Sequence, residues 1–139
     1  MLQPYKFLII DDDAGNNLLC ELVIVRAFVN AEVISFTSAS KGIDYIKNGN
    51  TEKTIKTILF LDINMPTLSG WDVLAQFEGI KAIIDHNFTV YMLSSSVNPA
   101  DKVRAENNRF VEGYLTKPLT KTLVLKLLGK EEINSKQVS

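Results

Sequence analysis

At 139 residues, 46% hydrophobic and 22% charged, the chain suits one domain whose core needs no disulfide or structural metal. Its 15 basic and 16 acidic residues leave a net charge of −1, so composition gives no electrostatic reason to bind nucleic acid or a membrane. No run reaches membrane-spanning length, and the opening MLQPYKFLII is too poor in apolar residues for a secretory signal, so a cytoplasmic location is expected.

In chain order, the apolar run Lys6–Ile10 reads as a strand and Gly15–Val29 as a helix. Cys20 lies in that helical pattern; it cannot close an intrachain disulfide and reads as a small buried hydrophobe. A strand at Glu32–Phe36 and a helix at Ala39–Lys47 follow. The third strand, Ile58–Leu61, leads into a helix over Gly70–Ile84, with Ser69 as its N-cap. His86 stands in the polar DHN stretch without metal-spaced partners and reads as a loop residue. The fourth strand is Val90–Leu93, followed by a helix at Pro99–Asn107 capped by Asn98. Phe110 and Val111 read as core beside the last strand, Gly113–Leu115. The final helix, Leu119–Leu128, carries Leu119, Leu123 and Leu127 on one stripe. From Gly129 the sequence GKEEINSKQVS turns polar, so residues 1–129 are predicted to form the domain and 130–139 a fraying tail.

Five strands, each followed by a helix, with three of the runs almost wholly apolar, predict a parallel sheet covered on both faces. Ligands of open α/β sheets bind outside the carboxyl ends of the strands. The residues at those ends are therefore the informative ones. Asp11, Asp12 and Asp13 follow the first strand and Asp62 the third. Ser94, Ser95 and Ser96 follow the fourth, and Thr116, Lys117 and Pro118 the fifth.

Carboxylates gathered at one rim repel, by roughly 4 kcal/mol per pair at ~4 Å and an effective dielectric of 20. They must be protonated in part or hold a cation. Oxygen-only ligands without His or Cys point to a hard ion, and Mg²⁺ suits one or two carboxylates, waters and a substrate phosphate. Lys117 adds a point charge for a phosphate oxygen and Ser94 a hydroxyl donor. With Asp62 as nucleophile, these are the parts for phosphoryl transfer to a carboxylate. Singly, each has a plainer reading: DDD as a solvated turn or helix cap, the serines as a loop, Lys117-Pro118 as a surface turn. Their recurrence at the same end of successive strands outweighs those readings.

FLIIDDD, ILFLDINMPTLSGWDVL, VYMLSSS and GYLTKPL together resemble the receiver domain of two-component response regulators, from about Tyr5 to Leu128. The resemblance implies a flavodoxin-like, doubly wound sheet of five parallel strands in the order 2-1-3-4-5 with five helices. It implies that Asp62 accepts a phosphoryl group from a histidine kinase or histidine phosphotransfer protein. It also implies that Mg²⁺ is held by Asp12, Asp62 and the backbone carbonyl of Asn64, with Asp11 acting mainly through coordinated water. Lys117 takes the place of the phosphate-binding lysine, Ser94 that of the switch hydroxyl and Tyr114 that of the aromatic rotamer switch. Asn64 and Ser96 take positions that tune the lifetime of the phosphoryl group, and the Lys117-Pro118 bond is expected to be cis. Ser94 stands where threonine is commoner, and Ser95 where alanine or glycine is usual.

On that reading the protein is a signalling switch rather than an enzyme, although it assists its own phosphorylation and dephosphorylation. The face made by Pro99–Asn107, Gly113–Leu115 and Leu119–Leu128 is remodelled for an unknown protein target. With no output domain after Leu128, a stand-alone receiver is expected, an excised one being the alternative. Trp71 reads as a half-exposed packing residue, with kinase contact as the other option. Two rival functions remain: a phosphohydrolase of the haloacid-dehalogenase type, and a degenerate receiver used as a binding module. The first wants an acid two residues after the nucleophile, where this chain has Asn64. The second wants the loss of Asp62, Lys117 or the acid pair, and all are present.

Overall fold

The computed structural model describes residues 5–49, 55–80 and 87–138. Five parallel strands alternate with helices: β1 (Tyr5–Ile10), α1 (Ala14–Ala27), β2 (Glu32–Phe36), α2 (Ala39–Lys47), β3 (Lys56–Asp62), α3 (Gly70–Phe77), β4 (Phe88–Ser94), α4 (Pro99–Glu106), β5 (Val111–Thr116) and α5 (Lys121–Val138). The order across the sheet is β2-β1-β3-β4-β5, so β1, β3, β4 and β5 stand side by side.

Alternation along the strands builds two cores. Leu8, Ile10, Leu59, Leu61, Val90 and Met92 face one side, where α2 contributes Ile43 and Ile46, α3 contributes Val73, Leu74 and Phe77, and α4 contributes only Ala105. Phe7, Ile9, Ile58, Phe60, Tyr91 and Leu93 face the other, against Cys20 and Ile24 of α1 and Val124, Leu127 and Leu128 of α5. Every residue of β1 and β3 is buried, which explains why residues 7–10 and 58–61 read as unbroken apolar runs.

Several boundaries differ from the sequence expectation, each for a local reason. α1 starts at Ala14 because the Asp13 side chain accepts the Asn16 N–H and caps it. It ends at Ala27 instead of Val29. α3 stops at Phe77 and tightens into a 3-10 turn, Glu78–Ile80; the remainder of the expected helix and His86 lie outside the described residues. α5 begins at Lys121, because the Thr120 hydroxyl accepts the Leu123 N–H as its cap. Leu119 just before that cap and Val124 in the first turn belong to one cluster, the pattern of a hydrophobic staple. The helix was expected to end and fray from Gly129; α5 instead continues through Gly129 to Val138, since a helix already propagating adds residues at low cost. Lys117-Pro118 is cis.

Phe60 is 1% exposed and stacks between Phe7 and Tyr91, with ring centroids at 6.3 and 6.0 Å. Phe60→Ala should cost about 3–5 kcal/mol of unfolding free energy, read by urea denaturation. A loss below about 1 kcal/mol would mean this aromatic column is not central to the core.

Candidate functional site

β1 and β3 run in register to Ile10 and Leu61, and β3 and β4 to Asp62 and Leu93. That register places Asp11, Asp12, Asp62 and Ser94 at neighbouring strand ends. One carboxylate oxygen each from Asp11, Asp12 and Asp62 lie within 4.8 Å of one another. Asp11 and Asp62 are buried and Asp12 is exposed. Lys117 reaches this cluster from the end of β5: its Nζ lies 2.7 Å from Asp11 Oδ2 and 3.5 Å from Asp62 Oδ1.

Asp11 is held on every side. Its Oδ1 accepts the Asp13 N–H at 2.9 Å, its Oδ2 accepts Asn16 Nδ2 at 2.7 Å, and its carbonyl accepts Asn17 Nδ2 at 2.9 Å. The sequence analysis did not single out these two asparagines. Their signal was position, inside the first turns of the helix that Asp13 caps. Asn17 Oδ1 is buried with no partner among the described residues.

Asp62 is less well served. Burial, then the charge of Asp11, push its carboxyl up from 3.8 to about 6, while Lys117 and the Asn64 backbone N–H pull it down. Burial also lowers Lys117, but Asp11 and Asp62 outweigh it, and the net shift is upward, so the ammonium stays charged. Cys20 lies near the site yet is buried, and desolvation followed by Asp11 pushes its thiol up to about 11. It behaves as the packing residue expected.

Gly70 fixes the approach of α3. A Cβ there would lie 2.5 Å from the Asp62 carbonyl oxygen and 2.9 Å from Met92 Cε, and the Gly70 N–H donates to the Ile63 carbonyl at 2.8 Å. Only glycine lets the helix start against the peptide of Asp62. Ser69 and Asp72 form a reciprocal capping box at this point.

On the β4 side, Ser94 Oγ is buried; it accepts the Ser96 N–H at 3.2 Å and lies 3.3 Å from Ser96 Oγ. The Tyr114 hydroxyl donates to the Ser96 carbonyl at 2.8 Å, and the half-buried ring packs against the α3/α4-side core. Ser96 thus joins Ser94 to Tyr114. Asn64, Ser95 and Ser96 are exposed at the mouth. Every residue named from the sequence at the strand ends is therefore at this edge.

Three carboxylate oxygens, with no His or Cys joining them among the described residues, suit a hard cation. Burial is the larger cause of the raised proton affinity of Asp62, with the charge of Asp11 next, and Lys117 offsets them only in part.

This sheet order, with acids at its carboxyl edge and a lysine reaching over them, defines a receiver-type signalling domain. The response regulator receiver domain family matches residues 7–128, and the chain belongs to that family. It is similar to a two-component response regulator from Cytophaga hutchinsonii: 30% identity, TM-score 0.84, covering 94% of this chain and 98% of that one. A response regulator receiver protein from Dyadobacter fermentans shares the fold at 24% identity and TM-score 0.81, covering 92% of this chain and 98% of that one. The sensory/regulatory protein RpfC of Xanthomonas campestris is 22% identical over 138 residues, which cover 99% of this chain and 18% of that protein's length. Among the described residues no helix is long and apolar enough to cross a membrane.

The raised proton affinity of Asp62 is measurable. The folded carboxyl holds its proton to higher pH than the unfolded one. Folding therefore takes up a proton between about 3.8 and about 6, and stability falls as pH rises through that window. In chelator at pH 7, Asp62→Asn should stabilise the protein by on the order of 2 kcal/mol, and the gain should shrink as pH falls through 6 toward 4. Thermal melts at three pH values check this; an unchanged gain at low pH would refute it.

Proposed function

We propose that Asp62 is the phosphoacceptor of this receiver, taking a phosphoryl group from a phosphohistidine of a histidine kinase or phosphotransfer protein. The observation that carries the reading is the meeting of Asp11, Asp12, Asp62 and Lys117 at one sheet edge. An Asp62 carboxylate oxygen forms the new bond to phosphorus as the phosphorus–nitrogen bond breaks, and the electron pair leaves with the imidazole, which takes up a proton from solvent. Lys117, already between Asp11 and Asp62, turns to an incoming phosphoryl oxygen and balances its charge. Ser94 donates its hydroxyl to another, giving up its contact with Ser96.

Mg²⁺ fits the donor set, and Asp11, Asp12, Asp62 and the Asn64 carbonyl would hold it. When bound, the ion supplies the charge neutralisation that lets dianionic phosphate approach a carboxylate. Asn64 and Ser96, exposed at the mouth, set how readily water reaches the aspartyl phosphate, and so its lifetime. Movement of Ser94 loosens Ser96, the acceptor of the Tyr114 hydroxyl, and so changes the α4/β5/α5 face that meets a target.

A phosphohydrolase reading is weaker: a general acid is wanted two residues after Asp62, and Asn64 there cannot donate a proton. A binding-only reading leaves the costly gathering of buried acids without a purpose.

The phosphodonor has a surface to rest on. Leu18, Leu19, Leu22 and Val25 are 58, 59, 49 and 44% exposed on α1, whose first turn adjoins the acid cluster. The 18-22-25 spacing offers one apolar seam to a helix of the donor.

Incubation with Mg²⁺ and acetyl phosphate should add one phosphoryl group by intact mass, removable by hydroxylamine and absent in Asp62→Asn or with chelator. An adduct that persists in Asp62→Asn would move the site elsewhere. Leu18→Lys with Leu22→Lys should slow transfer from a phosphohistidine protein about tenfold and leave acetyl phosphate labelling at its original rate. Equal slowing with both donors would mean α1 acts on the chemistry instead of the docking.

A further inference from the structure

The contact between α3 and α4 is the least explained feature of the molecule. α4 is weakly seated: Ala105 is its one buried residue, and Val103 is 55% exposed. Few buried apolar groups mark an element that opens locally at low cost. The Arg104 guanidinium of α4, however, lies 4.5 Å above the ring of Trp71 on α3. Trp71 is half-buried against the core, so the ring is carried with α3, while the exposed Arg104 rests on it from α4. Asp72, the next residue, attracts Arg104 electrostatically from the capped first turn of α3.

The other end of this contact leads directly to Asp62. Trp71 follows Gly70, the residue pressed against the Asp62 carbonyl and bonded to the Ile63 carbonyl. No slack separates the two, since even a methyl group has no room. A shift of the Asp62–Ile63 main chain must move the start of α3, and Trp71 with it.

We propose that Arg104 is a positioning residue that ties α4 to the Asp62 end of β3 through Trp71 and Gly70, a connection separate from the one through Ser94, Ser96 and Tyr114. α4 is the two-state element: seated while Arg104 covers Trp71, and freer when the ring moves. This rests on Asp62 being the phosphoacceptor only for what drives the shift; the tie itself exists in the unmodified protein.

Two measurements test it. In the unmodified protein, Arg104→Ala should speed amide hydrogen exchange in α4 by about two- to fivefold, with β5 amides unchanged. Arg104→Lys, which keeps a cation but loses the flat stacking surface, should fall between. Trp71 is the only tryptophan, so its emission reports the contact directly. Mg²⁺ with beryllofluoride should shift that emission in the native chain, and Arg104→Ala should lose more than half of the shift. The Tyr114→Phe variant, which lacks the hydroxyl held by Ser96, should keep it. Unchanged α4 exchange in Arg104→Ala overturns the tie. A full emission response in Arg104→Ala, or its loss in Tyr114→Phe, overturns the separate connection. Failure of acetyl phosphate to modify Asp62 would instead sink the phosphoacceptor reading, and the exchange experiment would still decide the tie.

Discussion

The ammonium of Lys117, wedged between the carboxylates of Asp11 and Asp62, is the interaction on which the site depends. Two acids buried at the same strand ends cannot both stay ionised side by side in low dielectric without positive charge between them. Lys117 supplies it, but unevenly. It sits closer to Asp11, which also collects hydrogen bonds from Asp13 and Asn16, and Asp62 is left with a raised proton affinity. The asymmetry separates the roles of two chemically identical groups. One is anchored by hydrogen bonds, and the other holds its proton more tightly.

The sheet makes that crowding unavoidable. With β1 between β2 and β3, and β4 beyond β3, four strand ends meet along one edge, and each chain segment turns there into a helix on one face or the other. The apolar residues that make β1 and β3 wholly buried thus drive polar groups into proximity, offsetting the electrostatic cost of the acids with hydrophobic burial elsewhere. The strand–helix turns then refine the geometry: Asp13 caps α1 beside Asp11, and Ser69 with Asp72 fixes α3 against Asp62.

Much of this was legible in the residues. The five strands, their parallel pairing and the acids, serines and lysine at their ends follow from apolar runs and what interrupts them, and the four motifs pointed to the receiver family that the comparison shows. The missed features depend on three-dimensional neighbours. Asn16 and Asn17 look like ordinary helix-start residues until Asp11 is seen beside them. The reason for Gly70 lies in the Asp62 carbonyl, eight positions earlier in the chain. The contact of Arg104 with Trp71 joins two helices whose separate patterns show no link. α5 runs to Val138 where fraying was expected from Gly129, because polar composition alone does not end a helix that is already propagating.

Ser96 meets Ser94 with both its hydroxyl and its main-chain N–H, and Tyr114 with its main-chain carbonyl. Those are different atoms with different dependence on residue identity. Replacing the side chain removes only the hydroxyl contact to Ser94, while every amino acid but proline brings the same N–H for that serine and the same carbonyl for the tyrosine. A substitution at this position therefore leaves the main-chain link between Ser94 and Tyr114 in place, and what varies there is the hydroxyl alone.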